Sequence, residues 1–124
     1  MMTRDEILMK EAGRELDALV AEKVMEFPVK IGDITGEPYH AQFGYSMPNY
    51  STNIAAAWMV VEKLQNQYPA FNLVWVKLQI LKPEIALKRA WRANFQGSTL
   101  SDAFADTAPL AICRAALLAV PEPA

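Results

Sequence analysis

With 124 residues and a 52% apolar share, the chain can close one hydrophobic core without a disulfide or metal, burying roughly two-thirds of its unfolded surface. A net charge of −2, with Lys and Arg scattered along the chain, excludes the basic tract that duplex DNA binding requires. One cysteine (Cys113) and one histidine (His40) exclude an internal disulfide and argue against an all-protein zinc site; both fit a reducing, intracellular setting.

The spacing predicts a first helix from Arg4 to Met25. Thr3 and Glu6 make a capping box, and Ile7, Leu8, Ala12, Leu16, Leu19, Val20 and Val24 recur at three- and four-residue intervals on one apolar stripe. Gly13 inside that pattern costs about 1 kcal/mol relative to alanine and marks a close packing contact. Pro28 closes the helical region. Residues 29–50 are rich in turns. Within them Tyr39, Ala41, Phe43 and Tyr45 alternate with His40, Gln42, Gly44 and Ser46, which predicts a half-buried strand. A short strand near Val29–Ile31 pairs with it as a hairpin.

Ser51 or Thr52 opens the second helix, predicted to run to about Gln67 before Pro69. Its stripe takes Ile54, Trp58, Val61 and Gln65, with Ala57 and Leu64 beside it. Phe71 to Leu81 is apolar on both parities, predicting a strand covered on both faces. Ala86 to Gln96 separates Leu87, Trp91, Ala93 and Phe95 from Lys88, Arg92, Asn94 and Gln96, with Arg89 on the apolar parity near the strand end. The third helix follows Asp106, with Thr107 as cap, Pro109 in the first turn, and Leu110, Cys113, Leu117 and Val120 on its stripe. About three helices and four strands thus form one α+β domain over residues 1–124, an antiparallel sheet sandwiched by helices, with a short tail at 121–124. The acidic start Thr3-Arg4-Asp5-Glu6 is unlike a signal peptide, and the apolar run 115–120 is too short to cross a bilayer. Together they point to a soluble, cytoplasmic protein.

Catalytic chemistry has little to stand on. His40 has no orienting partner in sequence and reads as a surface or structural residue. Cys113 shares a stripe with Leu110 and Leu117 and reads as a core thiol. The carboxylates of the first helix form a solvated face, and no phosphate-binding glycine motif is present. The remaining candidate is a cationic and amide-bearing strand face: Lys88, Arg92 and Asn94, joined by Lys77, Gln79 and Gln42 and flanked by Tyr45, Tyr50 and Trp75. Such a face holds phosphate and stacks a base; the plainer alternative is a solvated sheet edge or an oligomer interface.

Three blocks carry a resemblance. The first is Met2-Thr3-Arg4-Asp5-Glu6-Ile7 with Ala12 to Met25; the second is Tyr50-Ser51-Thr52-Asn53-Ile54-Ala55-Ala56-Ala57-Trp58 with Val60 to Leu64; the third is Ala105 to Pro109 with Ala111 to Leu118. In this order and separation the chain resembles the phage ABA sandwich domain family, small proteins of phages and prophages. The resemblance implies helices sandwiching an antiparallel sheet and a phage or prophage origin in a bacterial host. It transfers no catalytic residues, cofactor or metal. Met59 and Leu110 stand where related proteins often carry an acidic residue, and residues 32–48 are idiosyncratic; the extra apolar surface suggests a partner or self-interface. Two functions compete. One is a non-enzymatic counter-defence sponge, a homo-oligomer that sequesters a small nucleotide immune signal, with Lys88, Arg92, Asn94 and Arg14 on the phosphates and Tyr45 or Tyr50 stacking. The other is a protein-interaction module that binds a host or phage protein through the helical face carrying Met59. An enzyme is disfavoured because no metal-binding cluster of Asp, Glu and His is evident.

Overall fold

The computed structural model describes residues 3–65, 71–78, 88–95 and 102–120. Among them the order is α1 (Arg4–Met9), α2 (Arg14–Lys23), β1 (Val29–Ile31), β2 (Pro38–His40), α3 (Ile54–Leu64), β3 (Asn72–Leu78), β4 (Lys88–Asn94), β5 (Ala103–Ala105) and α4 (Ala108–Ala119). The α+β class stands. The strands form two antiparallel sheets, a β1-β2 hairpin and a three-stranded sheet in the order β3-β4-β5. The predicted ends at 66–67, 79–81, 86–87 and 96, and the tail 121–124, lie outside the described residues.

The predicted first helix is two helices. Thr3 caps α1 as expected, its hydroxyl accepting from the Glu6 amide. The chain then leaves the helix at Lys10, whose carbonyl accepts from Arg114 Nε at 3.0 Å and Nη2 at 2.6 Å, while Arg114 Nη1 donates to Phe104 O at 2.8 Å. One guanidinium therefore ties the end of α1 to β5 and α4. Gly13, at φ 156° and ψ −176°, restarts the chain as α2 in a region that only glycine visits readily. Its amide donates to Ser51 Oγ at 2.9 Å. The stripe spacing survives the break because Ile7, Leu16, Val20 and Val24 still reach the core.

The predicted strand over 39–45 is also shortened. His40 is buried, and its Nδ1 accepts from the amides of Gln42 and Phe43 at 3.2 and 3.1 Å. Those bonds curl residues 41–43 into a turn, and Gly44 completes it with a φ of 80°. The histidine is structural: both N–H donors point at one ring nitrogen, which places the proton on Nε2. The β1-β2 hairpin itself matches the sequence reading, with Lys30 opposite Tyr39.

Asn53, not Ser51 or Thr52, caps α3, accepting from the Ala56 amide. Ser51 is otherwise engaged: its hydroxyl donates to Asp17 and accepts from the Gly13 amide. Helix α3 buries Ala56, Ala57, Val60, Val61 and Leu64, so the core stripe is rotated from the one predicted. Phe71, just before β3, and Leu73 within it pack on the core, but Val74 is exposed, so that face is open there. Strand β5 is not legible in sequence because three residues give too little alternation.

Helix α4 sits at the centre. Thr107 caps it and Pro109 occupies its first turn, as predicted. It packs against β4 and β5 on one side and against α1, α2 and α3 on others, with Ala111, Ala115, Ala116 and Ala119 all buried. Small side chains around the helix allow close approach from several directions at once.

Two substitutions test the α1–α2 junction. Gly13→Ala meets no atom within 4 Å but forces an L residue into a glycine conformation, so chemical denaturation should show a loss of more than about 1 kcal/mol. Asp17→Ala, which strips the partners of Ser51 and Arg14, should cost about 2–3 kcal/mol by the same measurement.

Candidate functional site

On the strand face singled out in the sequence, Arg92 and Asn94 are both engaged by one carboxylate. Lys88 and Arg92 lie on β4 opposite Leu78 and Val74; the side chains of Lys88 and Lys77 and all of Gln79 lie outside the described residues. Arg92 donates through Nε and Nη2 to Asp102 at 3.1 and 3.0 Å, a two-pronged ion pair. Asn94 is buried and its Nδ2 donates to the same carboxylate. Asp102 thus neutralises Arg92, and Asn94 is a buried amide bound to the same carboxylate. Sequence reasoning missed Asp102 because it lies eight and ten residues beyond its partners, across a strand-to-strand connection with no local pattern.

Arg14 serves a different place. Its guanidinium donates to Asp17 at 2.9 Å, Met47 O at 2.8 Å, Asn49 Oδ1 and Glu37 Oε2. It fastens the start of α2 to the hairpin turn and the loop before α3. Asp17 is 1% exposed, and it accepts from Ser51 N at 2.8 Å and Ser51 Oγ at 2.7 Å. A buried carboxylate satisfied this fully is a fastening and not a general base.

The two tyrosines part company. Tyr50 is fully buried and offers no stacking surface in this structure. Among the described residues its hydroxyl finds no hydrogen-bond partner, and burial pushes its pKa up to about 12, with smaller contributions from Tyr45, Cys113 and Asp17. Tyr45 is half exposed, and its ring lies parallel to that of Phe43 at 6.3 Å, with His40 packed against both. Gln42 is exposed in the adjoining turn. The structure therefore groups the candidates in two sets, Lys88, Arg92 and Asn94 on β4 and Arg14, Tyr45 and Tyr50 around α2 and the hairpin. Cys113 is fully buried, and desolvation raises its pKa far above the ordinary thiol value, with Asp17 adding to it; the thiol is inert core material.

The most distinctive surface is apolar. Ile54, Trp58 and Met59 of α3 are 50%, 44% and 45% exposed, with Ala55 exposed among them. Trp58 is braced edge-on against Phe71 at 5.9 Å, and Phe71 rests on the buried Phe95 at 4.7 Å. The patch is thus rooted in the core by an aromatic chain. Ile54 and Trp58 are residues whose spacing suggested burial; α3 rolls them outward because Ala57, Val60 and Val61 take the inner face against α4.

Among the described residues no group of His, Cys, Asp and Glu is placed to hold a metal ion, and no helix is long and apolar enough to cross a membrane. What remains among the described residues is a small α+β domain with an apolar helix face and with Arg14 and Arg92 held by carboxylates. A family model for the phage ABA sandwich domain matches residues 18–117, and the chain belongs to that family. No curated protein and no solved structure matches it.

Tyr50→Phe tests the buried hydroxyl. Because the folded-state pKa lies above the ordinary value of 10, the tyrosine's contribution to stability is intact below pH 10 and is lost as the pH rises toward 12. The variant should match or exceed the parent in stability at pH 7 and unfold later in an alkaline titration. Absorbance of tyrosinate should lose its last-titrating component.

Proposed function

We propose that this domain is a non-enzymatic phage accessory protein that works by docking a host or phage protein on the apolar face of α3. The observation that carries this reading is the half-exposed set Ile54, Trp58 and Met59, contiguous on one helix and braced from beneath by Phe71. Trp and Met are residue types enriched at interface centres, and a rigid aromatic loses little entropy on binding. The set occupies the face that Met59 marked in the sequence as unusually apolar. Nothing in the reading requires a cofactor or metal.

A nucleotide sponge is the second reading, favoured by one observation: the Arg92 side chain is 40% exposed beside its carboxylate. Phosphate would have to displace Asp102 from Arg92, and the ligand would be held without Tyr50 or Asn94. The oligomer and the anti-defence role belong to this reading.

Affinity capture from the phage host, followed by binding with the purified partner, separates the two. Met59→Glu should abolish partner binding while Arg92→Ala leaves it within about twofold, since a charge placed in a desolvated interface centre costs several kcal/mol. Native mass spectrometry with cyclic oligonucleotides and ADP-ribose derivatives should then retain no nucleotide. A retained nucleotide lost in Arg92→Ala, with Met59→Glu harmless, would replace the first reading by the second.

A further inference from the structure

A second surface lies away from α3, where α1 and α2 face the hairpin. A cleft of about 510 Å³ runs between Ala18 and Leu19 of α2 and Val29 and Ile31 of β1. Its size falls in the range of ligand clefts, roughly 300–1,000 Å³. Two properties of its walls define what fits.

The first is the backbone of β1. Ala41 donates to Pro28 O and Gly32 donates to Glu37 O, so in this antiparallel register Pro28, Lys30 and Gly32 direct their main-chain groups to β2. Val29 and Ile31, between them, direct theirs the other way, toward the open edge. Strand β2 is covered on its far side, where His40 donates to Tyr45 O and Tyr39 bridges Ser46. Among the described residues nothing pairs with the far side of β1. Val29 and Ile31 also line the cleft, so an extended backbone lying there would find two residues' worth of donors and acceptors at strand spacing.

The second is charge. Glu6, Glu15 and Glu22 line the cleft against Lys10 and Arg14. Lys10 is bound to Glu15, and Arg14 to Asp17 and Glu37, which leaves Glu6 and Glu22 without an ion pair among the described residues. The cleft is therefore acidic at its rim and apolar on its floor.

We propose that the cleft receives an extended, basic polypeptide segment of another protein as a third strand on β1. Main-chain pairing to Val29 and Ile31 supplies the affinity. Alternate side chains of the segment point to opposite faces, so those facing α2 are lysines or arginines whose aliphatic stems rest on Ala18 and Leu19 while their charged heads reach Glu6 and Glu22. Pairing of this kind tolerates varied sequences and reads only the alternation and the positive charge. It is independent of the α3 face, and a protein using both surfaces would bridge two chains.

The test uses the full chain and a capped nonapeptide alternating lysine and valine, with a glutamate–valine peptide as control. The lysine peptide should bind, and hydrogen exchange should slow at the Val29 and Ile31 amides with little change at Lys30, whose amide already faces β2. Glu6→Lys with Glu22→Lys, both exposed and outside the core, should weaken binding by about tenfold or more, and added salt should do likewise. Equal binding of the glutamate peptide, or binding that leaves Val29 and Ile31 unprotected, would overturn the proposal. So would concentration-dependent protection of those amides without peptide, since the edge would then belong to a second copy of the chain.

Discussion

Asp17 is the point from which the rest of this domain is arranged. A carboxylate removed from water costs several kcal/mol unless charge and hydrogen bonds replace the lost solvent. Here the replacement comes from three directions: Arg14 one turn earlier on α2, and the amide and hydroxyl of Ser51, 34 residues away. Satisfying Asp17 therefore fixes where the loop before α3 must lie. Arg14 then carries the constraint outward, to Met47 and Asn49 on that loop and to Glu37 on the hairpin turn. Tyr50, adjacent to Ser51, is drawn into the core even though its hydroxyl has no partner there among the described residues. The orientation of α3 follows from the same loop.

Arginine recurs as the device that closes irregular backbone. Arg114 captures the carbonyl at which α1 ends, and Arg92 holds Asp102 against β4. Each guanidinium offers several donors in a fixed fork and satisfies acceptors that helices and sheets leave over. This explains why Arg14 and Arg92, which look available for a ligand, are spoken for. Among the described residues it leaves the apolar face of α3 exposed and Glu6 and Glu22 beside β1 without an ion pair.

Much of the architecture was legible. Caps at Thr3 and Thr107 and the apolar spacing of α2 and α4 are local, and local chemistry decided them. The break at Gly13 was not legible, because the stripe spacing continues through it; the reasons to break are Arg114 and Ser51, which arrive from elsewhere in the chain. The curl at His40 was hidden for a like reason, since alternation from Tyr39 to Tyr45 is a strand pattern until the ring nitrogen takes two backbone donors. Of the candidate site, Arg14 and Arg92 were found as residues that matter, though the acceptors that hold them were not visible in sequence.

The sequence by itself determined the class of fold, the membership of the phage ABA sandwich family and the set of residues able to form a core, because periodicity, capping and block order are written along the chain. Only the tertiary structure decided which apolar residues stay outside. Ile54 and Trp58 have the spacing of buried residues, but α3 has a second stripe of Ala57, Val60, Val61 and Leu64 that packs more closely on α4. When a helix carries more apolar surface than one neighbour can cover, the smaller residues permit the closer approach and take the inside. The larger ones are left facing solvent.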